Sequence, residues 1–117
     1  MRMRLTAHGI ELSSELKDFV QRRIHFSLGR LAGRIKSLTV RLADVNGPRG
    51  GVDKCCDISI DAGLRQNVIV REQQATIHAA VALAVDRAER AVQRQMRLGN
   101  PLAERPKLSR PSPSFGD

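Results

Sequence analysis

Four arginines in the C-terminal half of the sequence have a spacing that suits them to bind phosphate groups. They recur at intervals of three and four residues inside a segment of helical periodicity, which places them along one side of an α-helix. Guanidinium groups about 5 to 6 Å apart on such a helix can follow a phosphate backbone. Asp86 and Glu89 fall on a different side of the helix. The pattern therefore predicts a phosphate-binding row made of Arg87, Arg90, Arg94 and Arg97, with an ordinary solvated helix face as the alternative.

A second predicted helix, nearer the N-terminus, adds Arg22, Arg23 and Arg30 at the flank of its apolar stripe. Two such helices on one face of a sheet would form a continuous positive surface with a groove between them. Proteins recognise structured RNA mainly through shape, phosphate and 2′-hydroxyl contacts, so this surface suits RNA better than base reading in DNA. We therefore predict that all seven arginines bind RNA. Phe26 on the same helix is expected to be at least partly buried, with a base-stacking platform as the alternative.

Residue types used in catalysis or metal binding form no recognisable motif. His8, His25 and His78 lie in three different predicted elements, and the acidic residues are scattered. The glycine-rich segment 46–51 joins two strands and so lacks the helix N-terminus that makes phosphate-binding loops work. The sequence therefore predicts no enzyme, cofactor, metal or small-molecule substrate, and a general-base role for His8 or His78 is the alternative.

The two cysteines, Cys55 and Cys56, are adjacent in the sequence. In a strand their side chains would point to opposite faces, and a disulfide between them would be strained. Two cysteines without a companion pair also do not make a zinc site. We expect free thiols.

Hydrophobic periodicity predicts the elements that position these side chains. Alternation of apolar and polar residues indicates strands, and apolar spacing of three and four residues indicates helices. Ser13 and Ser14 are candidate N-caps for the first helix, and Gly99 suits the end of the second. The predicted strands cover 2–8, 35–45, about 55–62 and 66–71, and the predicted helices cover 14–31 and 73–98.

The predicted order is β-α-β-β-β-α. Short turns between the last three strands favour an antiparallel meander, and both helices must bury their apolar stripes against the sheet. This order predicts an α+β two-layer sandwich, in which a four-stranded sheet carries two helices on one face. The other sheet face and the outer faces of the helices remain available for partners.

Length and charge set the broad class of the protein. The chain has 117 residues, which suits one domain, and its 20 Lys and Arg against 12 Asp and Glu give a net charge of +8, which favours polyanionic partners. No apolar run could span a bilayer and no signal-peptide core follows the N-terminus, so we expect a cytoplasmic protein without membrane contact. Residues 1–99 are predicted to form the domain, and residues 100–117 a disordered tail rich in Pro, Ser and basic residues.

Three segments resemble a known family. They are 6–13 (TAHGIELS), 44–56 (DVNGPRGGVDKCC) and 76–87 (TIHAAVALAVDR). Together with the element order they are similar to the ribosome hibernation promoting factor and ribosome-associated inhibitor family, which includes ribosomal subunit interface proteins and sigma-54 modulation proteins. The similarity covers about residues 2 to 98 and points to a short form from a variant branch.

This resemblance implies a partner and a site. It implies binding to the 16S-type rRNA channel of the small ribosomal subunit, at the decoding region, and inhibition of translation during hibernation or stress. Basic positions of the family match Arg23 and Arg87, and Arg90 and Arg94 follow on the same face. The residues after Asn100 are too few for the long form's dimerisation domain, so a monomer or weak homodimer is expected.

Two other functions are compatible with the sequence. The element order also resembles a double-stranded RNA-binding domain, and a general binder of this kind would prefer free duplex RNA to intact subunits. A protein-interaction module that modulates transcription through a σ factor would bind its partner even after nuclease treatment.

Overall fold

The computed structural model describes residues 1–45, 53–63 and 66–99. Within these ranges the chain forms four strands and two α-helices in the order β-α-β-β-β-α, with a 3₁₀ segment at Gly29–Arg34 after the first helix. The predicted loop 46–51 and tail 100–117 lie outside the described residues. The elements are β1 (Arg2–His8), α1 (Ser14–Leu28), β2 (Ser37–Asp44), β3 (Lys54–Asp61), β4 (Val68–Gln74) and α2 (Ile77–Gly99).

The four strands form one sheet in the spatial order β1-β2-β3-β4. β1 runs parallel to β2, because α1 connects them, whereas β2, β3 and β4 form an antiparallel meander. The register aligns Leu5, Val40, Ile58 and Val70 across the sheet. Both helices cover this face, so the predicted α+β two-layer sandwich is confirmed.

The core lies between the helices and the sheet and is almost entirely aliphatic. Residues on the helix-facing side of β2 and β3 are fully buried, whereas those of the edge strand β1 are half-buried. Each fully buried Val, Leu or Ile contributes about 1.5 to 3 kcal/mol relative to an exposed one. The helices contribute to the core through Leu16, Val20, Ile24 and Leu28 on α1, and Ala80, Val81, Ala84, Val85, Ala88, Val92 and Met96 on α2.

The first helix ends earlier than the sequence predicted. The α-helical pattern stops at Leu28, and the next six residues, which include Gly29 and Gly33, form a 3₁₀ segment. Glycine lowers helix propensity by about 1 kcal/mol relative to alanine, which explains why the α-helix is not continued there. Leu31 still packs against the core, and this is why its spacing looked helical.

The second helix begins later than predicted. β4 continues to Gln74, because its backbone pairs with β3 as far as Lys54. The side-chain oxygen of Thr76 accepts a hydrogen bond from the backbone N–H of Ala79 at 3.2 Å, so Thr76 caps a helix that begins at Ile77. The prediction that α2 starts at residue 73 was therefore wrong by one helical turn.

Candidate nucleic-acid interface

The C-terminal half of α2 presents three arginines to solvent. Arg90, Arg94 and Arg97 are exposed, whereas Ala88 and Val92 on the opposite side of the helix are fully buried. Within the described residues no carboxylate lies at salt-bridge distance from these three guanidinium groups. They therefore carry charge that is not neutralised locally, and we call Arg90, Arg94 and Arg97 the α2 arginine row.

Arg87, the fourth arginine predicted for this row, is held against the sheet. Its Nη1 donates a hydrogen bond to Glu72 Oε2 at 2.5 Å and another to the backbone oxygen of Arg71 at 2.9 Å. Half of its side chain remains exposed, whereas only 16% of the Glu72 side chain does. Arg87 thus ties α2 to β4 and has part of its charge neutralised.

Two arginines of α1 and the 3₁₀ segment reach across to α2. Arg23 Nη2 lies 3.6 Å from Asp86 Oδ1, and Arg30 Nη2 donates to Glu89 Oε2 at 3.0 Å. The side of α2 that carries Asp86 and Glu89 therefore faces α1, in agreement with their predicted separation from the arginine row. These ion pairs bridge the two helices at the place where a groove was expected.

The remaining α1 arginine, Arg22, lies on the outer side of its helix. Its Nε donates to the backbone oxygen of Asp18 at 3.4 Å, and no described carboxylate forms a salt bridge with it. The structure therefore brings three of the seven predicted arginines into ion pairs and leaves Arg22 and the α2 arginine row without one. Of these seven arginines, those without an ion pair therefore lie mostly on α2.

An aromatic contact joins the two helices near the start of α2. The rings of Phe19 and His78 meet edge to face, with centroids 4.6 Å apart and an interplanar angle of 60°. This packing gives His78 a structural partner, and no carboxylate in the described structure orients it as a base.

Phe26 does not pack into the core. It is 82% exposed, the largest exposed fraction among the described large apolar residues, and it lies on the outer side of α1. The expectation of at least partial burial was wrong, because Val20 and Ile24 occupy the core-facing side of the helix and leave Phe26 on the other.

The second face of the sheet carries a polar row that the sequence analysis missed. The register aligns Arg41, Asp57 and Arg71 on neighbouring strands. Arg71 donates two hydrogen bonds to Asp57, at 2.8 and 3.1 Å, and this pairing raises the pKa of Arg71 above its ordinary value. The three residues border a cavity of about 310 Å³ that also contacts His8 and Cys55. Alternation marked them as one face, but only the strand register places them side by side.

A charge cluster at the end of β2 and β3 also went unpredicted. Lys54 Nζ donates to the fully buried Asp53 at 2.9 Å and lies 3.3 Å from Asp44. The hydrogen bond to Asp53 is the main reason why the pKa of Lys54 is raised. Gly9 approaches the same place: its φ is +76°, and a Cβ there would lie 3.3 Å from the Asp44 carbonyl oxygen. The cluster joins the end of β2 to the start of β3.

Both cysteines are free and buried. Burial disfavours the thiolate and raises the pKa of Cys56 to about 12. Cys56 is therefore a neutral core side chain at physiological pH. Across residues 1–45, 53–63 and 66–99, no group of three or more His, Cys, Asp and Glu side chains is arranged to hold a metal ion. In the same part of the chain, no helix combines the length and the apolar character needed to cross a membrane.

Comparison with known proteins gives a family and a shared fold. The sequence matches the model of the family described as sigma 54 modulation protein / S30EA ribosomal protein over residues 3–97. The structure is similar to a ribosomal subunit interface protein from Coxiella burnetii (TM-score 0.65, 13% identity, covering 80% of this chain and 96% of that chain). It is also similar to the N-terminal domain of Thermus thermophilus Protein Y (TM-score 0.63, 24% identity, covering 80% of this chain and 98% of that chain). No curated protein matches the sequence significantly.

Proposed function

Because the chain belongs to the sigma 54 modulation protein / S30EA ribosomal protein family, we propose that it binds the small ribosomal subunit and inhibits translation. The partner is the 16S-type rRNA channel at the decoding region, and the setting is hibernation or stress in the cytoplasm. The names of two proteins with the same fold, a ribosomal subunit interface protein and Protein Y, support a ribosomal partner.

The observation that carries this proposal is the α2 arginine row. Arg90, Arg94 and Arg97 are exposed, lie on one side of a helix and have no described carboxylate beside them. Each guanidinium can donate several hydrogen bonds to phosphate oxygens and release condensed counterions from the RNA. A helix with these properties supplies affinity for folded RNA without requiring a particular base sequence.

The proposed mechanism is occupation of a site. The protein makes and breaks no covalent bond, and it inhibits by filling the channel that messenger and transfer RNA require. Rigidity serves this role, because a preorganised surface loses little conformational entropy on binding. The ion pairs of Arg23 with Asp86 and of Arg30 with Glu89 contribute by fixing α1 relative to α2.

Sedimentation with purified small subunits tests the proposal. We expect the wild-type protein to sediment with subunits at low salt, and the triple variant Arg90→Gln, Arg94→Gln, Arg97→Gln to remain at the top of the gradient. Arg87 is left unchanged because it also supports the fold. The matched control removes three charges from the opposite face of the sheet, through Arg2→Gln, Arg4→Gln and Arg41→Gln.

Three outcomes would contradict the proposal. Equal binding by the folded α2 variant and the wild type would show that the arginine row is not the contact surface. If a stoichiometric amount of free duplex RNA displaced the protein from small subunits, the result would favour a general double-stranded RNA binder. Binding to a σ factor that persists after nuclease treatment, without binding to subunits, would favour a modulator of transcription.

A further inference from the structure

Phe26 is a large apolar side chain that is exposed to solvent on the outer side of α1. It projects from the last full turn of α1 and is 82% exposed, whereas Phe19, two turns earlier, is half-buried against His78. Single exposed apolar residues are common on protein surfaces, so exposure alone assigns no role. The residues around Phe26 decide what the ring can bind.

Phe26 lies at one end of a shallow, open depression on the outer face of α1, and the other described residues that line it come from the preceding turns of the same helix. All of these neighbours are polar. The guanidinium of Arg22 forms no salt bridge with a described carboxylate. The imidazole ring of His25 lies beside Gly29. The remaining wall residues are Asp18 and Gln21.

This combination suits a nucleotide better than a protein. Protein interfaces are centred on apolar groups that pack together, and none of the other described residues that line this depression has a large apolar side chain. An unpaired RNA base needs an aromatic ring on which to stack, a cation for its phosphate, and donors and acceptors for its edge. Phe26 provides the ring, Arg22 the cation, and the amide, imidazole and carboxylate groups can face the edge of the base.

We propose that Phe26 and Arg22 form a binding site for one unpaired RNA nucleotide, with its base stacked on the Phe26 ring and its phosphate held by Arg22. The inference rests on the proposed function, because rRNA would supply the nucleotide. It adds a second kind of contact to that function: the α2 arginine row binds phosphates without regard to sequence, whereas this site requires a base that is not paired.

Fluorescence can test the stacking directly, because the chain contains no Trp or Tyr. The substitution Phe26→Trp introduces a single indole, and stacking of a base on it should quench the emission. The probe is a single-stranded RNA of about eight nucleotides, within the usual site size of such proteins. Ile69→Trp is the matched control, since Ile69 is 75% exposed on β4 and faces the other side of the sheet. We expect quenching with Phe26→Trp and none with Ile69→Trp.

Affinity measurements distinguish stacking on the aromatic ring of Phe26 from simple burial of its apolar surface. Phe26→Leu keeps an apolar side chain but removes the ring, and it should weaken binding of the single-stranded RNA about 5- to 100-fold. Phe26→Tyr keeps the ring and should bind like the wild type. Because the side chain is exposed, both variants should retain the wild-type circular dichroism spectrum and melting temperature.

The outcomes distinguish this site from the proposed function. If Phe26→Leu binds both the single-stranded RNA and small subunits as tightly as the wild type, the nucleotide site is wrong and the ribosomal proposal stands. If the wild type does not sediment with subunits, the ribosomal proposal fails, and the titration with single-stranded RNA still decides the nucleotide site. Quenching by subunits but by no oligonucleotide would assign Phe26 to a protein contact and overturn the inference.

Discussion

The guanidinium of Arg87 shows how one residue can belong to a charged surface and to the fold at once. It lies beside the α2 arginine row, yet its hydrogen bonds run to Glu72 and to the backbone of Arg71. Arg90, one turn further along α2, makes no such contact. Arg87 and Arg90 belong to the same helical spacing but differ in their neighbours. The charge of Arg87 is partly neutralised by Glu72, whereas Arg90 has no described carboxylate at salt-bridge distance.

Replacement of Arg87 should therefore cost stability, whereas replacement of Arg90 should not. Arg87→Ala removes two hydrogen bonds and leaves the mostly buried Glu72 without its cationic partner, so we expect a loss of about 1 kcal/mol in the free energy of unfolding. Arg90→Ala should change it by less than about 0.5 kcal/mol. Urea denaturation followed by circular dichroism measures both. Equal losses would show that the contact to β4 does not stabilise the protein.

The buried thiol of Cys56 should make the free energy of unfolding fall at alkaline pH. Burial raises the pKa of its thiol from 9.0 to about 12, so between these values the unfolded state releases a proton that the native state retains. The stabilising contribution is complete below about pH 9 and falls by about 1.4 kcal/mol per pH unit above it. We expect the free energy of unfolding of the wild type to fall more steeply from pH 9 to pH 10.5 than that of Cys56→Ala. Parallel curves for the two proteins would contradict this assignment.

The order and type of the elements could be predicted from the sequence, but two helix boundaries could not. Periodicity identifies which residues face the core, and Leu31 faces the core from a 3₁₀ segment as readily as from an α-helix. The same limit applies at the other boundary, where Gln73 and Gln74 are polar and only pairing with β3 makes them part of β4. Backbone hydrogen bonds decide such positions, and no side-chain pattern encodes them.

The start of α2 can be tested through its cap. Thr76 accepts a hydrogen bond from the Ala79 N–H, so Thr76→Ala should lower the free energy of unfolding by about 1 kcal/mol, and Thr76→Ser should preserve it. Gln73→Ala tests the alternative start. If α2 began at residue 73, alanine would be tolerated or favoured there, because it has the highest helix propensity. Chemical denaturation of the three variants measures the effect. A stable Thr76→Ala protein would show that this cap does not stabilise α2.

Interactions between distant segments account for what sequence reasoning missed in the candidate site. Spacing within α2 was enough to align its arginines, and the family resemblance is confirmed by the match over residues 3–97. Spacing could not show that Asp86 and Glu89 would pair with Arg23 and Arg30, because these contacts depend on how two helices pack. The strand register likewise creates the row that contains Asp57.

At the scale of the whole molecule, charge is distributed unevenly over a protein with a net charge of +8. The ion pairs between the helices and on the second sheet face cancel locally, so they contribute little to the long-range field. The α2 arginine row does not cancel, so its charge should contribute to the attraction to a polyanion. The salt dependence of binding reports how many such charges meet phosphates.

The logarithm of the binding constant for small subunits should therefore fall linearly as the logarithm of the salt concentration rises. Each phosphate neutralised contributes about 0.7 to 0.9 to the slope, so the triple Gln variant of the α2 arginine row should have a slope shallower by about 2 to 3 than the wild type. The control variant at Arg2, Arg4 and Arg41 should keep the wild-type slope, because its substitutions lie on the opposite face of the sheet. Affinities measured across several salt concentrations give the three slopes. A shallower slope in the control and an unchanged slope in the α2 variant would move the RNA contact to the second face of the sheet, where Arg41 flanks the pair formed by Asp57 and Arg71.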